Sequence, residues 1–532
     1  MRVRLVAAMS CLGVGFCFSA ALRARAEPSH LGKVGNIHPR RAVTARAENM
    51  QPQRAVRAQA EHKKPSHFTF TAGQRIITVK SAVDMKVFDR EKKRTEVVGK
   101  IDFPIVDLEA VQGDFLWVRS LGVKGWIRKG DAVPLEEAVS FFSAQVNRDP
   151  KDADAYFRRA LAWHAKGELD NAVEDFSEVI RLDPEDAAAY SNRGAFRNEK
   201  EEYELALADF SEAIRLNPAG RDGYYNRGYT HFLKNDYERA IADFTEAIRL
   251  DSDYAWAYNN RGFAWYRTRQ HDKALADFNR AIQINPNGAW AFANRGRTWS
   301  DMAQYDKALA DYGTALRLDP NSATAYKNRG LTRLALKEYD KALADFDEGL
   351  RRSPRDPRLL NHRGRAWLAL AEHDRALTDF TESLRLDPRN SEAMANRGNA
   401  WYARGEYQTA LDDYSGAIRL NPAEALAYAG RATLWASCPD VKFRDPPRAV
   451  ESARRACELS NWDNTEWIEV LATAHAQAGR FDQALKWENV ALKSGDFTSE
   501  GLAAARRRCE SYQQQLEQNA HTTGQPGARD VQ

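Results

Sequence analysis

Apolar and small residues in this chain fall into fixed columns of a 34-residue grid. Repeats start at Ala153, Ala187, Arg221, Ala255, Ala289, Ala323, Pro357, Ser391 and Ala425. An aromatic at column 4, Gly at 8, Ala at 20, an aromatic at 24, a small or apolar residue at 27 and Pro at 32 recur along it. Pro150, Pro184, Pro218, Pro286, Pro320, Pro354, Pro388 and Pro422 hold the last column, and only Ser252 breaks it. The spacing within each unit is helical, and a period of this length predicts stacked helical hairpins. Gly and Ala let two helices approach closely, the aromatics fill the seam, and Pro ends the second helix.

The pattern extends beyond the nine units. Ala138, Phe142 and Pro150 fall on columns 20, 24 and 32, so residues 135–152 read as a half-repeat cap. Repeat nine gains five residues between Cys438 and Pro447, which moves its column 20 to Ala449. A tenth, atypical hairpin carries Leu471, Ala472, Phe481 and Ala484, closing the solenoid of residues 153–494. Residues 495–518, charged and Gln-rich, predict a capping helix, and residues 519–532 a disordered tail.

Residues 66–134 have a different rhythm. His67–Thr71, Arg75–Val79, Val83–Phe88, Glu96–Gly99, Leu116–Arg119 and Gly125–Arg128 mix apolar and polar positions between turn residues. They predict five or six short strands in a small β-barrel.

Two resemblances follow. The stretch Ala323-Thr-Ala-Tyr-Lys-Asn-Arg-Gly-Leu-Thr-Arg-Leu-Ala-Leu-Lys-Glu-Tyr-Asp-Lys-Ala-Leu-Ala-Asp-Phe resembles the tetratricopeptide repeat (TPR). Gly113-Asp-Phe-Leu-Trp-Val-Arg and Gly125-Trp-Ile-Arg-Lys-Gly-Asp-Ala-Val resemble the end of bacterial SH3-like domains. Together they imply a mainly α fold, a right-handed TPR superhelical solenoid of about ten hairpins, preceded by a small SH3-like β-barrel. The TPR resemblance implies protein–protein interaction without naming a partner.

Charge and address refine this picture. The formal net charge is +4 over 532 residues. Residues 1–65 hold twelve Lys/Arg against three Asp/Glu, so they carry +9 and the remainder carries −5. A mildly acidic body with no basic stripe argues against nucleic-acid binding. Arg2 and Arg4 precede an uncharged run from Leu5 to Leu22, followed by the small-x-small Ala24-Arg25-Ala26. Residues 1–26 therefore predict a cleaved signal peptide, with an uncleaved membrane anchor as the alternative. The protein is then exported, periplasmic or at the cell envelope, with no integral membrane segment left after cleavage. Residues 27–65, basic and poor in large apolar groups, predict a disordered linker.

Column 7 is Arg in nine repeats, from Arg159 to Arg431, and column 23 is Asp in eight, from Asp175 to Asp413. The tenth hairpin has Leu471 and Trp487 there, so both are lost together. This predicts Arg–Asp pairs along the array, within or between repeats.

Candidate ligand contacts lie on the first helix of each hairpin, which in TPR arrays lines the concave face. Column 6 holds Asn192, Asn226, Asn260, Asn294, Asn328 and Asn396, with Arg158, His362 and Gly430 as exceptions. The run resembles the asparagine ladder of O-GlcNAc transferase superhelices, where amides hold an extended peptide backbone. An amide offers both donor and acceptor to a peptide without reading its side chains. The alternative is that these Asn stabilise local packing. An aromatic patch comprises Tyr225, Tyr229, Phe232, Trp256, Phe263, Tyr266 and Trp290, beside Arg297. It predicts either a peptide groove or aromatic packing within the array. The carboxylate clamp of chaperone-binding TPR domains is absent, because Lys327 at column 5 is followed by Leu331 at column 9.

The sequence has no G-x-S-x-G, P-loop, H-E-x-x-H or C-x-x-C, so it predicts no enzyme, no metal and no cofactor. Peptidoglycan is a second candidate partner, through the SH3-like segment of a cell-wall adaptor, and an accessory subunit of an envelope enzyme is the other alternative. Beyond the leader, Cys438, Cys457 and Cys509 remain. Cys438 and Cys457 flank the insertion of repeat nine and are the candidate disulfide, if their Cα atoms lie within about 7 Å.

Overall fold

In the computed structural model the described residues are 68–69, 71–79, 83–89, 94–101, 105–112, 115–120, 123–494, 497 and 499–523. The expected signal peptide, the basic linker and residues 524–532 of the expected tail lie outside them. The chain divides into two compact units between residues 291 and 292.

The first unit opens with seven strands: β1 (Arg75–Thr78), β2 (Val83–Asp89), β3 (Arg94–Ile101), β4 (Ile105–Gln112), β5 (Phe115–Ser120), β6 (Val123–Arg128) and β7 (Ala132–Pro134). They form one antiparallel sheet in the order β3-β2-β6-β5-β4-β1-β7. Two of the seven, β4 and β7, go beyond the strands that the alternation predicts. The alternation of β4 is spoiled by a register shift between Leu108 and Ala110, which hides its period of two. Residues 68 and 69, expected in a first strand, have no regular structure.

Helix α1 (Leu135–Arg148) follows β7 without a linker. Ile77, Ile105 and Val133 of the sheet share one core with Phe142 of α1 and with Phe157 and Phe176 of the first hairpin. That hairpin is α2 (Ala153–Ala165) and α3 (Leu169–Leu182). Three more follow: α4 (Ala187–Glu199) with α5 (Tyr203–Leu216), α6 (Arg221–Leu233) with α7 (Tyr237–Leu250), and α8 (Ala255–Arg267) with α9 (His271–Ile284). Helix α10 (Ala289–Asp301) crosses the boundary.

The second unit continues with α11 (Tyr305–Leu318), α12 (Ala323–Ala335), α13 (Tyr339–Arg352), α14 (Pro357–Ala369), α15 (His373–Leu386), α16 (Ser391–Ala403) and α17 (Tyr407–Leu420). The lengthened ninth hairpin is α18 (Ala425–Ser437) with α19 (Pro446–Leu459), and the tenth is α20 (Thr465–Gln477) with α21 (Phe481–Ser494). A final helix, α22 (Ser499–Thr523), runs five residues past the point where the composition predicts a tail. The described residues therefore form 22 α-helices in a repeated, solenoid-like arrangement with a small antiparallel sheet ahead of them.

The columns account for this regularity. The column-24 rings Phe176, Phe210, Phe244, Phe278, Tyr312, Phe346, Phe380 and Tyr414 are all at most 1 % exposed. Burying each is worth roughly 2–3 kcal/mol. Column 8 is Gly in seven repeats and Ala in two, Ala160 and Ala432; at Gly330 a Cβ would stand 2.6 Å from Phe346, and at Gly364 2.7 Å from Phe380. Asp152, Asp186, Asp236, Ser322, Asp356 and Asn390 cap their helices through the side chain.

The expected disulfide is not formed. Cys438 and Cys457 are buried free thiols. Cys438 caps α18 and packs with Ala410, Tyr414 and Leu434. Cys457 lies late in α19, in a separate cluster with Ile468 and Leu471. The insertion lengthens the loop without bringing the two sulfurs into one core.

Candidate functional site

The Arg and Asp columns meet within each of the first eight hairpins. Arg159 donates from Nη2 and Nε to the Asp175 carboxylate at 2.6 and 2.9 Å. The same two-pronged contact joins Arg193–Asp209, Arg227–Asp243, Arg261–Asp277, Arg295–Asp311, Arg329–Asp345, Arg363–Asp379 and Arg397–Asp413. Several pairs also reach backwards. Nη1 of Arg193, Arg227 and Arg261 donates to Ser177, Ser211 and Thr245 of the preceding repeat. The carboxylates are buried and the guanidiniums half-buried. Burial pushes the Asp175 and Asp379 carboxyls above their ordinary value despite their Arg partners. These eight pairs hold their hairpins together and leave the ligand-facing role to others.

The Asn ladder splits. Asn192 and Asn396 are at most 1 % exposed, and Asn260 is buried too. Asn260 donates to the Tyr225 hydroxyl at 2.9 Å, and Asn396 donates to Asn361 at 3.0 Å. These amides contact the neighbouring repeat. Asn226, Asn294 and Asn328 are half-buried. Both polar atoms of Asn192 and the Asn226 amide nitrogen have no hydrogen-bond partner among the described residues. The exception Arg158 has its own reason. It is 3 % exposed and donates to the Thr78 carbonyl of β1 at 2.5 Å, tying the first hairpin to the sheet.

The aromatic patch also divides. Tyr225, Phe232 and Phe263 are buried in one core with Phe244 and Phe278, so they pack the array and do not line its surface. Tyr266 stacks on Phe263 at 5.6 Å. Tyr229 is half-buried, and burial pushes its phenol up to about 12. Trp256 and Trp290 are half-buried and stacked with centroids 4.3 Å apart, and Trp256 also packs against the Tyr225–Phe232 core. They occupy column 2 of consecutive repeats, where Asp154, Asp222, Thr324, Arg358 and Glu392 stand in five others and Ala188 and Leu426 in two.

In the second unit the same first-helix columns carry cations. Burial lowers the Lys327 amine to about 8, and Arg358 and Arg297 lower it further while Asp356 opposes them. His362 is pushed well below its ordinary value by burial and then by Arg365, Lys327 and Arg358. Arg365 also pairs with Glu392 at 3.4 Å. The sequence groups Arg297 with the tryptophans, whereas the structure places it with this basic group. The columns reveal that group only when three repeats are superposed. Among the described residues no group of His, Cys, Asp and Glu could hold a metal ion. No described helix is long and apolar enough to cross a membrane.

Tetratricopeptide-repeat family profiles match residues 153–186, 255–287, 295–357 and 361–425, and a TPR-repeat profile matches 228–268. The chain carries tetratricopeptide repeats, which in general serve as protein-interaction scaffolds. No curated protein matches the sequence. Among solved structures, a tetratricopeptide repeat protein from Parabacteroides merdae is 18 % identical, covering 47 % of this chain and 98 % of its own, with a TM-score of 0.41. Yeast Tom70 is 17 % identical, covering 72 % and 93 %, with a TM-score of 0.39. The APC/C hetero-tetramer Cut9–Hcn1 is 12 % identical, covering 71 % and 93 %, with a TM-score of 0.45.

Proposed function

We propose that this protein is a non-catalytic scaffold that holds an extended protein segment along the first-helix face of its repeats. The observation that carries this reading is the half-buried Trp256–Trp290 stack at column 2, where five of the other seven repeats place polar side chains. Stacked indoles offer a flat apolar platform, and such aromatics anchor binding sites. Half-buried Asn226 lies on a first helix as well and offers an amide for backbone contact. The leader-like residues 1–26 favour an exported protein, and residues 66–134 favour an SH3-like module ahead of the repeats. No observation on the sheet favours peptidoglycan as a ligand.

The test is Trp256→Ala with Trp290→Ala in the full chain, probed beside wild type on one random peptide array. Peptide capture should fall while the melting midpoint moves little. Destabilisation by about 3–5 kcal/mol would assign both indoles to packing. Cell fractionation with N-terminal sequencing of the mature chain tests export.

A further inference from the structure

The Arg–Asp ladder has one broken rung. In repeat nine the arginine is kept as Arg431, but column 23, shifted by the five-residue insertion, is Ser452. Arg431 Nε donates to the Ser452 hydroxyl at 3.3 Å, and that hydroxyl donates to the Tyr428 carbonyl at 3.0 Å. Serine is shorter than aspartate and uncharged, so it replaces neither the second prong nor the charge. No carboxylate among the described residues pairs with Arg431.

The guanidinium is nonetheless held in place. It lies over the Tyr428 ring at 5.3 Å and the Trp435 ring at 4.7 Å. Contact on both rings fixes the plane of the fork, so little ordering is left for binding. Arg431, Tyr428, Trp435 and Ser452 line a cleft of about 700 Å³ that also presents Arg448, Arg454 and Arg455. Its two acidic residues, Glu451 and Glu458, leave a lining charge of 4 − 2 = +2 in a body that is acidic overall. Glu458 pairs with Arg455 at 3.1 Å and Arg448 with Asp445 at 3.4 Å, while Glu451 acts electrostatically on Arg431. Burial also lowers the Arg431 pKa, whereas Arg159, Arg227 and Arg397 are raised, with their aspartates as the largest cause.

We propose that the cleft of the ninth hairpin binds a carboxylate side chain of an acidic partner segment, which takes the Nη donors of Arg431 that Ser452 leaves unused and supplies the charge that Asp supplies in eight other repeats. A carboxylate is the chosen anion because the same fork, on the same scaffold, already accepts one eight times. The surrounding arginines would draw further acidic residues of the segment. This site is separate from the first-helix face and does not depend on the reading proposed for it.

The experiment uses the full chain and a fluorescein-labelled hexaglutamate peptide, with hexaglutamine as control and anisotropy as readout. Wild type should bind hexaglutamate and not hexaglutamine. Arg431→Gln should weaken binding tenfold or more. Ser452→Asp supplies the missing partner from within, so it should weaken binding equally and raise the melting midpoint. Unchanged binding in S452D would assign the peptide to the exposed arginines and overturn the proposal. A lowered or unchanged midpoint in S452D would show that no Asp fits there, and would overturn it equally. So would absence of hexaglutamate binding, or competition by inorganic phosphate at lower concentration than by acetate.

Discussion

At the scale of residues, the rungs of the ladder are costly to break and cheap to replace. Asp277 is 6 % exposed and receives two hydrogen bonds from Arg261. Removing it strands a half-buried guanidinium, so Asp277→Ala should destabilise by about 3–5 kcal/mol in denaturant titration. Replacing both partners, as Arg261→Met with Asp277→Leu, should recover most of that loss, because the desolvation of both ions disappears. A cost below about 1 kcal/mol for the single variant would mean that water screens the pair. The two columns are legible in the sequence because they vanish together in the tenth hairpin. Whether they pair within or between repeats is not. The structure shows carboxylates from the same hairpin and hydroxyls from the preceding one.

At the scale of elements, the ninth hairpin and the C-terminal helix lead to two further expectations. Cys438 and Cys457 sit in separate cores as thiols, and burial pushes Cys457 up to about 12. Both should resist alkylation in the native chain, and all three cysteines should alkylate after unfolding without reductant. A linked 438–457 peptide in mass mapping would restore the bridge. Helix α22 docks on the tenth hairpin through Arg508, which pairs with Glu488 and Glu469. Glu488 is fully buried, and burial raises its carboxyl to about 7 in spite of Arg508. In the unfolded chain it titrates near 4.5. The folded state therefore keeps a proton that the unfolded state loses between those values. Its contribution is complete below about 4.5 and is lost as pH rises through about 7, on the order of 3 kcal/mol in all. Hydrogen exchange of residues 465–523 should quicken over that window, to which Glu466, raised by burial to about 7, also contributes, and Glu488→Gln should shrink the response.

At the scale of the whole molecule, the repeat architecture is open to reading because each 34-residue unit states its own packing rules. Pro ends a helix by covalent geometry, Gly330 must lack a Cβ, and Ala at column 20 must be small, whatever surrounds the unit. Recurrence inside one chain then multiplies the signal. The sheet is less legible, since a bulge in β4 breaks the alternation on which strand reading depends. The ligand-facing residues are legible only as columns. Tyr225, Phe232 and Trp256 look alike as aromatics in the sequence, yet the first two are buried core and the third is only half-buried at its edge. Exposure depends on how adjacent hairpins rotate over one another, a sum over many contacts that no single column encodes. The same holds for Arg158, whose place in the Asn column makes sense only once Thr78 is brought to it from 80 residues away. Sequence alone determined the repeat, its period and its paired charges, because these follow from local sterics and composition. Tertiary structure alone decided which aromatics and amides stay at the surface, that the two cysteines remain apart, and that Arg431 stands in an open cleft, because each depends on distances between segments far apart in the chain.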